Sequence, residues 1–298
     1  MSEEPFLAAG DWGSSNCRFW LLSKTGTVLR EIYSQDGVNT MAPERYGETL
    51  RSGLNHLQVP AGLPVMLCGM VGARQGWREV PYCDVPVDLI SLPAYALGFD
   101  FDGHPVRIMP GLAQRRADFP DVMRGEETKL LGALAFQHDE RRWVCLPGTH
   151  SKWVWIEGSR VMRFHTFATG EMFSLMTQHS MLRHIPQTGT PLPIAPIQTG
   201  IQRAFAAPGD FTHFAFTLRA RHLLMHETPE QLHGELSGFL VGMEVAAMRR
   251  HISGKVQVIG NETMLALYTD ALTLAGIEPV PLPGQDAAQR GLLRAASA

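Results

Sequence analysis

Leu7-Ala-Ala-Gly-Asp-Trp-Gly-Ser-Ser-Asn-Cys-Arg-Phe-Trp-Leu21 decides the fold of this chain. An apolar run leads into a turn of small residues, and a second apolar, aromatic-rich run leads back, which is the pattern of a β-hairpin. The pattern returns in Val144-Cys-Leu-Pro-Gly-Thr-His-Ser-Lys-Trp-Val-Trp-Ile156. In each turn small residues leave backbone N–H groups open, and such amides offer positive partial charge to phosphate oxygens. Asp11 precedes the first turn, at the strand tip. A carboxylate there repels phosphate unless a divalent cation stands between them, so the hairpin reads as a site for nucleotide phosphates with magnesium at Asp11. One such turn is ordinary loop chemistry. Two, near the start of each half of the chain, are read as a functional pair.

Composition sets the frame around the hairpins. At 298 residues and 45% apolar content, the chain can fill two ordinary domain cores. Lys and Arg number 26 against 29 Asp and Glu, and no basic run could track a nucleic-acid backbone. The amino terminus has no positive segment followed by an apolar core, and no stretch reaches about 18 apolar residues, so a cytoplasmic protein without membrane partners is expected. Cys17, Cys68, Cys83 and Cys145 form no C-x-x-C pair and are expected as free thiols, mostly buried. His222 and His226 share i,i+4 spacing, but without a third ligand in pattern a metal site there is not expected.

Along the chain, a third strand is expected over Thr27–Tyr33, a helix over Pro43–Leu57 and a buried strand over Val65–Cys68. The last runs into the glycine-rich loop Gly69-Met-Val-Gly72-Ala-Arg-Gln-Gly76-Trp77. Ligands in open α/β sheets bind where strands end in such loops. Tyr82–Leu97, interrupted by proline, reads as irregular structure or short edge strands, and Val106–Met109 as a strand. The segment Phe119–Phe136 reads as a helix entered through Gly125, with Glu126 and Glu127 in its dipole-favoured first turn. The charged stretch 138–142 places a boundary there, giving lobes 1–138 and 139–298. Beyond the second hairpin come a helix at Glu171–Met181, a Pro/Thr-rich loop at Pro186–Pro196 and a helix from about Glu235 to Arg250. A strand at Lys255–Ile259, a turn at Gly260-Asn261 and a helix at Thr263–Leu274 complete the pattern. Strands and helices alternate, so the fold class is α/β.

The hairpin Gly10–Asn16, the loop Gly69–Trp77, the helix start Arg124-Gly-Glu-Glu-Thr128 and the hairpin Leu146–Trp153 resemble those of 2-dehydro-3-deoxygalactonokinases. The hairpins alone indicate the wider group of actin-like and hexokinase-like phosphotransferases; the middle loop and Gly-Glu-Glu-Thr narrow it. The resemblance implies two ribonuclease-H-like lobes, with mixed sheets flanked by helices, around a central cleft that takes ATP and a sugar. It also implies transfer of the γ-phosphoryl of ATP to the 6-hydroxyl of 2-dehydro-3-deoxy-D-galactonate. Gly13, Ser14 and Ser15 would hold phosphates from one lobe, and Gly148, Thr149, His150, Ser151 and Lys152 from the other. Gly260 and Asn261 resemble the adenosine-contacting turn, which a plain strand-to-helix turn would mimic.

In related sugar kinases a carboxylate at the start of a helix ahead of the second hairpin takes the hydroxyl proton. Glu126 is the first choice for that base and Glu127 the second, with Asp118 or Asp121 as further carboxylates; the commoner pattern has aspartate there. The substrate's carboxylate asks for a cation, and Arg74 can bind it bidentately. Gly69, Met70 and Gly72 of the same loop, and Asn39, would line the sugar. A homodimer is the assembly admitted. The rivals are a kinase of another keto-deoxy or aldonic acid, a phosphohydrolase of the same superfamily, and a non-catalytic sugar sensor. A sugar requirement for ATP turnover separates the hydrolase, and the carboxylate set weighs against the sensor. No G-x-S-x-G elbow and no G-x-x-x-x-G-K-[ST] loop is present.

Overall fold

In the computed structural model, which describes residues 3–136, 140–187, 189 and 191–298, the opening stretch forms strands β1 (Pro5–Trp12) and β2 (Cys17–Ser23). Next come β3 (Val28–Ser34), α1 (Tyr46–His56), β4 (Val65–Gly69), β5 (Cys83–Asp84), β6 (Val87–Asp88), β7 (Leu97–Phe101), β8 (His104–Ile108), β9 (Leu112–Arg116), β10 (Phe119–Met123) and α2 (Glu126–Ala133). The chain continues through β11 (Arg141–Leu146), β12 (Ser151–Glu157), β13 (Arg160–Phe167), α3 (Thr169–His179), α4 (Ile194–Ala206), α5 (Phe211–Leu224) and α6 (Pro229–Arg249). It ends with β14 (Lys255–Gly260), α7 (Glu262–Leu274), β15 (Glu278–Pro283) and α8 (Gly284–Ala296). The class is mixed α/β, as the alternation of elements indicated.

By contacts the chain groups into two units: Met1–Arg141 with Val154–Phe164 and Gly284–Ala298, and Arg142–Trp153 with His165–Pro283. The boundary expected between 138 and 139 lies outside the described residues.

The first unit is built on a six-stranded sheet of order β3-β2-β1-β4-β8-β7. β1 and β4 run parallel, with Asp11 opposite Cys68 and Trp12 opposite Gly69, so two loop-bearing strand ends share one edge. Both faces are covered, which explains why β1 and β4 read as continuous apolar runs. On one face Ala8, Trp12, Val65 and Leu67 pack with Tyr46, Leu50 and Leu54 of α1. Leu7, Ala9 and Met66 alternate to the other face, where α8 contacts β1 and β4. α8 also crosses α2 at backbone distance: a Cβ on Gly291 would lie 1.9 Å from the Thr128 carbonyl oxygen, and one on Gly132 1.9 Å from that of Ala287. A small sheet of order β10-β9-β5 precedes α2, so Phe119–Met123, expected within a helical segment, is a strand and the helix begins at Glu126.

In the second unit β14 lies between β15 and β11, parallel to both, and the sheet continues from β11 to β12. Leu182 and Ile185, between α3 and α4, share a core with Phe214 and Leu218 of α5 and with Leu232, Leu236 and Phe239 of α6. α6 begins at Pro229, well ahead of the expected Glu235, because Thr228 and Gln231 form a capping box with Pro229 at the first position. The expected loop over Pro186–Pro196 gives way at Ile194 to α4, and Pro196 falls in its first turn, where a missing N–H costs nothing. His226 lies beyond α5 with φ 54°, so it does not share a helical face with His222. All four cysteines are free, and Cys17, Cys68 and Cys145 are buried.

Candidate active site

The tip of β1 organises the first unit's site. Gly13 donates its N–H to the Asn16 carbonyl at 2.9 Å, closing the turn, while the Ser14 and Ser15 amides meet no acceptor among the described residues. Val38 and Asn39 brace the turn from outside, donating to the carbonyls of Gly13 (3.0 Å) and Ser14 (2.8 Å). Asn39, expected near the substrate, thus stands beside the turn and is exposed.

Asp11 is 24% exposed; its Oδ2 lies 3.6 Å from Lys129 Nζ, and its Oδ1 faces the Cys68 thiol at 3.8 Å. Burial, then the Asp11 charge, pushes that thiol well above its ordinary range, so it is a neutral neighbour. Gly69 and Gly125 make the convergence of β4 and α2 possible. Their φ values are 92° and 105°, a region that favours glycine. A Cβ on Gly69 would stand 2.6 Å from the Trp12 carbonyl oxygen, and one on Gly125 only 3.2 Å from the Gly69 Cα. Two backbones therefore touch where the carboxylate-bearing strand meets the carboxylate-bearing helix.

At the start of α2 the two glutamates differ. Glu126 is half-buried and accepts the Arg124 N–H at 3.0 Å. Glu127 is fully buried and accepts from Gly125 N (2.6 Å) and Thr128 Oγ1 (3.0 Å). Burial, followed by the neighbouring Glu126 charge, pushes Glu127 up to about 7. Lys129 is held charged chiefly by Asp11, against the opposing effect of burial. Asp118 sits in the β9–β10 turn, paired with Arg116 at 2.8 Å, and Asp121 accepts the Val122 N–H on β10.

The glycine-rich loop leaves β4 as a short 3-10 turn, Met70–Gly72, with Gly72 buried. Arg124 fastens it: one Nη donates to the Val80 carbonyl at 2.7 Å and the guanidinium stacks on Tyr82 at 4.3 Å. Arg74 projects from the same loop, exposed and without an ion-pair partner among the described residues.

The second unit builds its own turn between β11 and β12. Gly148, Thr149 and His150 are exposed, and their amides meet no acceptor among the described residues. The start of α3 fixes this turn, with Glu171 N donating to the Thr149 carbonyl at 3.0 Å and Glu171 Oε2 lying 3.0 Å from His150 Nε2. Ser151 and Lys152 lie beneath the turn. The Ser151 hydroxyl is fully buried, 2.8 Å from Tyr268 OH, and Lys152 Nζ donates to the His150 carbonyl at 3.3 Å.

Below them Glu244 of α6 accepts from Trp153 Nε1 (2.7 Å), Tyr268 OH (2.9 Å) and Thr169 Oγ1. Burial pushes this carboxyl upward against the three donors. Gly260 packs beside the turn, a Cβ there lying 3.8 Å from Pro147 Cδ, and Asn261 caps α7 through Met264 N at 2.9 Å. Lys129, Glu244 and Thr169 escaped the sequence reading, although a lone glutamate in the apolar run Gly242-Met-Glu-Val is a visible signal.

Residues 11–295 match the 2-keto-3-deoxy-galactonokinase family. A relative named as a probable 2-dehydro-3-deoxygalactonokinase of Rhizobium meliloti (strain 1021) is 37% identical over 303 aligned residues, covering 100% of this chain and 99% of its own. The 2-dehydro-3-deoxygalactonokinase of Escherichia coli (strain K12) is 31% identical, over 95% of this chain and 94% of its own. A crystal structure of a candidate 2-dehydro-3-deoxygalactonokinase from Sinorhizobium meliloti superposes with a TM-score of 0.91 at 37% identity, covering 98% of each chain.

Proposed function

Because the chain belongs to the 2-keto-3-deoxy-galactonokinase family, and is thus an ATP-dependent kinase with an alcohol acceptor on the actin-like ATPase fold, we propose a role for each residue of the two sites. The reaction takes the γ-phosphoryl of ATP to the 6-hydroxyl of 2-dehydro-3-deoxy-D-galactonate and yields the 6-phosphate. The observation that carries the assignment is the approach of Asp11 to α2, seen in its 3.6 Å distance to Lys129, beside the Gly69–Gly125 backbone contact that sets Glu126 at the start of that helix.

Glu126 is the general base. It is half-buried, so a hydroxyl can reach it, whereas Glu127 is fully buried and tied to Gly125 and Thr128. The hydroxyl proton passes to Glu126 and O6 bonds to the γ-phosphorus. The bond from that phosphorus to the β,γ-bridging oxygen breaks, and its electron pair leaves with ADP. Asp11 suits a divalent cation because its Oδ2 already faces a positive group in a partly buried setting. Magnesium, when bound there, neutralises phosphate charge.

The amides of Ser14 and Ser15, and those of Gly148 and Thr149, without acceptors among the described residues, suit phosphate oxygens. Ser151 and Lys152 support their turn from below. Gly260 and the capped turn at Asn261 are assigned to adenosine. Arg74, exposed at the loop, is assigned to the substrate's carboxylate, with Asn39, Met70 and Gly72 beside the sugar. The setting is taken to be cytoplasmic and the assembly a homodimer. Among the described residues no helix is long and apolar enough to cross a membrane.

ATP consumption across a panel of keto-deoxy and aldonic acids tests the reading. Turnover is expected only with an acceptor, and best with 2-dehydro-3-deoxy-D-galactonate. Asp11→Asn and Glu126→Gln are expected to lower kcat by about 100-fold or more, and Glu127→Gln by about tenfold at most. An inactive Glu127→Gln enzyme beside a near-normal Glu126→Gln enzyme would transfer the base role.

A further inference from the structure

Lys129 has no part in the reaction as described, yet its position is built by the fold. Its Nζ lies 3.6 Å from Asp11 Oδ2, with the two side chains 31% and 24% exposed. It leaves α2 three residues after Glu126, so neighbouring positions of one helix face offer a carboxylate and an ammonium. Exposed ion pairs between flexible side chains contribute little. This pair is different, because the touching backbones of Gly69 and Gly125 fix the start of α2 against the tip of β1. Among the described residues the other Asp11 oxygen has the neutral Cys68 thiol as its hydrogen-bond partner, and Lys129 is the one cation paired with Asp11.

We propose that Lys129 is a built-in counter-ion of Asp11 that competes with the divalent cation for the Oδ2 face and so makes metal uptake depend on the nucleotide. This rests on Asp11 being the metal's carboxylate. Two cations crowded on one carboxylate oxygen repel each other, so a dication that takes Asp11 displaces the ammonium. The four-carbon lysine stem lets the charge swing away, and phosphate oxygens give it a new anionic partner. Without nucleotide the displaced ammonium has no such partner, and the metal binds weakly. Lys129 is in these terms a positioning residue, acting through Asp11.

The experiment is a Mn2+ titration, read from the free-ion electron paramagnetic resonance signal. It compares wild type, Lys129→Met, Lys129→Arg and Asp11→Asn, each with and without ADP. Without ADP, Lys129→Met is expected to bind Mn2+ about tenfold more tightly than wild type, while Lys129→Arg stays within about twofold. The same Lys129→Met enzyme is expected to lose about tenfold in kcat at saturating metal. A fold damaged by substitution would weaken both properties, so opposite movements identify competition. Unchanged or weaker Mn2+ binding by Lys129→Met, with binding abolished in Asp11→Asn, overturns the counter-ion role and leaves Asp11 in place. Unchanged binding by Asp11→Asn overturns the metal assignment itself.

Discussion

Glu127 shows how two adjacent glutamates come to different ends. Its carboxyl turns back to accept two hydrogen bonds inside the first turn of α2, without any solvent, and its pKa rises to about 7 from the usual 4.5. Over that interval the folded protein keeps a proton that the unfolded chain releases. The group's stabilising contribution is therefore complete below about pH 4.5 and disappears as pH climbs through 7, a change on the order of 3 kcal/mol. Calorimetry from pH 5 to 8 should show wild type losing Tm with rising pH, and Glu127→Gln losing clearly less. Equal slopes would mean that another group titrates. Sequence brought both glutamates to the helix start and ranked Glu126 first, but their unequal burial is set by the chain's entry into α2 through Gly125 at φ 105°. Lys129 was readable as a neighbour of Glu126, but its pairing with Asp11 needed the β1–β4 register and the Gly69–Gly125 contact. Arg124 hid in the same way, because a stacked and buried guanidinium looks like any arginine in a string of letters.

At the scale of elements, the crossing of α2 and α8 is the most exacting contact. Gly291→Ala places a methyl group 1.9 Å from the Thr128 carbonyl oxygen, so the helices must part or α2 must bend. The expected cost is about 1 to 3 kcal/mol. It should appear as a Tm several degrees lower and, because α2 carries Glu126 and Lys129, as a fall in kcat; an unchanged Tm would show that the helices slide freely. The β1–β2 hairpin, β4, α3, α6 and β14 were legible because each combines an apolar period with a turn or cap. α4 was not, since the prolines that usually end a helix here sit at its beginning. β10 was absorbed into the expected helical segment, because a short strand ending just ahead of Gly125 carries too little alternation to stand apart from α2.

For the whole molecule, order along the chain and membership of a unit are separate properties. Residues 284–298 group with the first unit, where Gln285 accepts from Arg18 and donates to Glu31, and Ala287, Ala288 and Leu292 are buried. Nothing in Gln285-Asp-Ala-Ala-Gln-Arg-Gly-Leu-Leu293 announces this, because an amphipathic helix advertises a buried face without naming its partner. Ending the chain at Pro283 should thus damage the first unit rather than the second. The truncated protein is expected to lose the protease resistance of residues 3–136 while the fluorescence of Trp153, set in the Glu244 network, stays close to wild type.

During synthesis the same return of α8 imposes a delay. Domains commonly fold as they emerge, amino-terminal first, at about 5 to 20 residues per second. Here the sheet around Asp11 is translated by residue 108 but lacks the cover for one face until residues 284–296 are read, roughly 9 to 38 s later. The nascent chain therefore carries a half-clad apolar sheet while residues 109–283 are made, and that makes it a natural client for whatever shields emerging polypeptides.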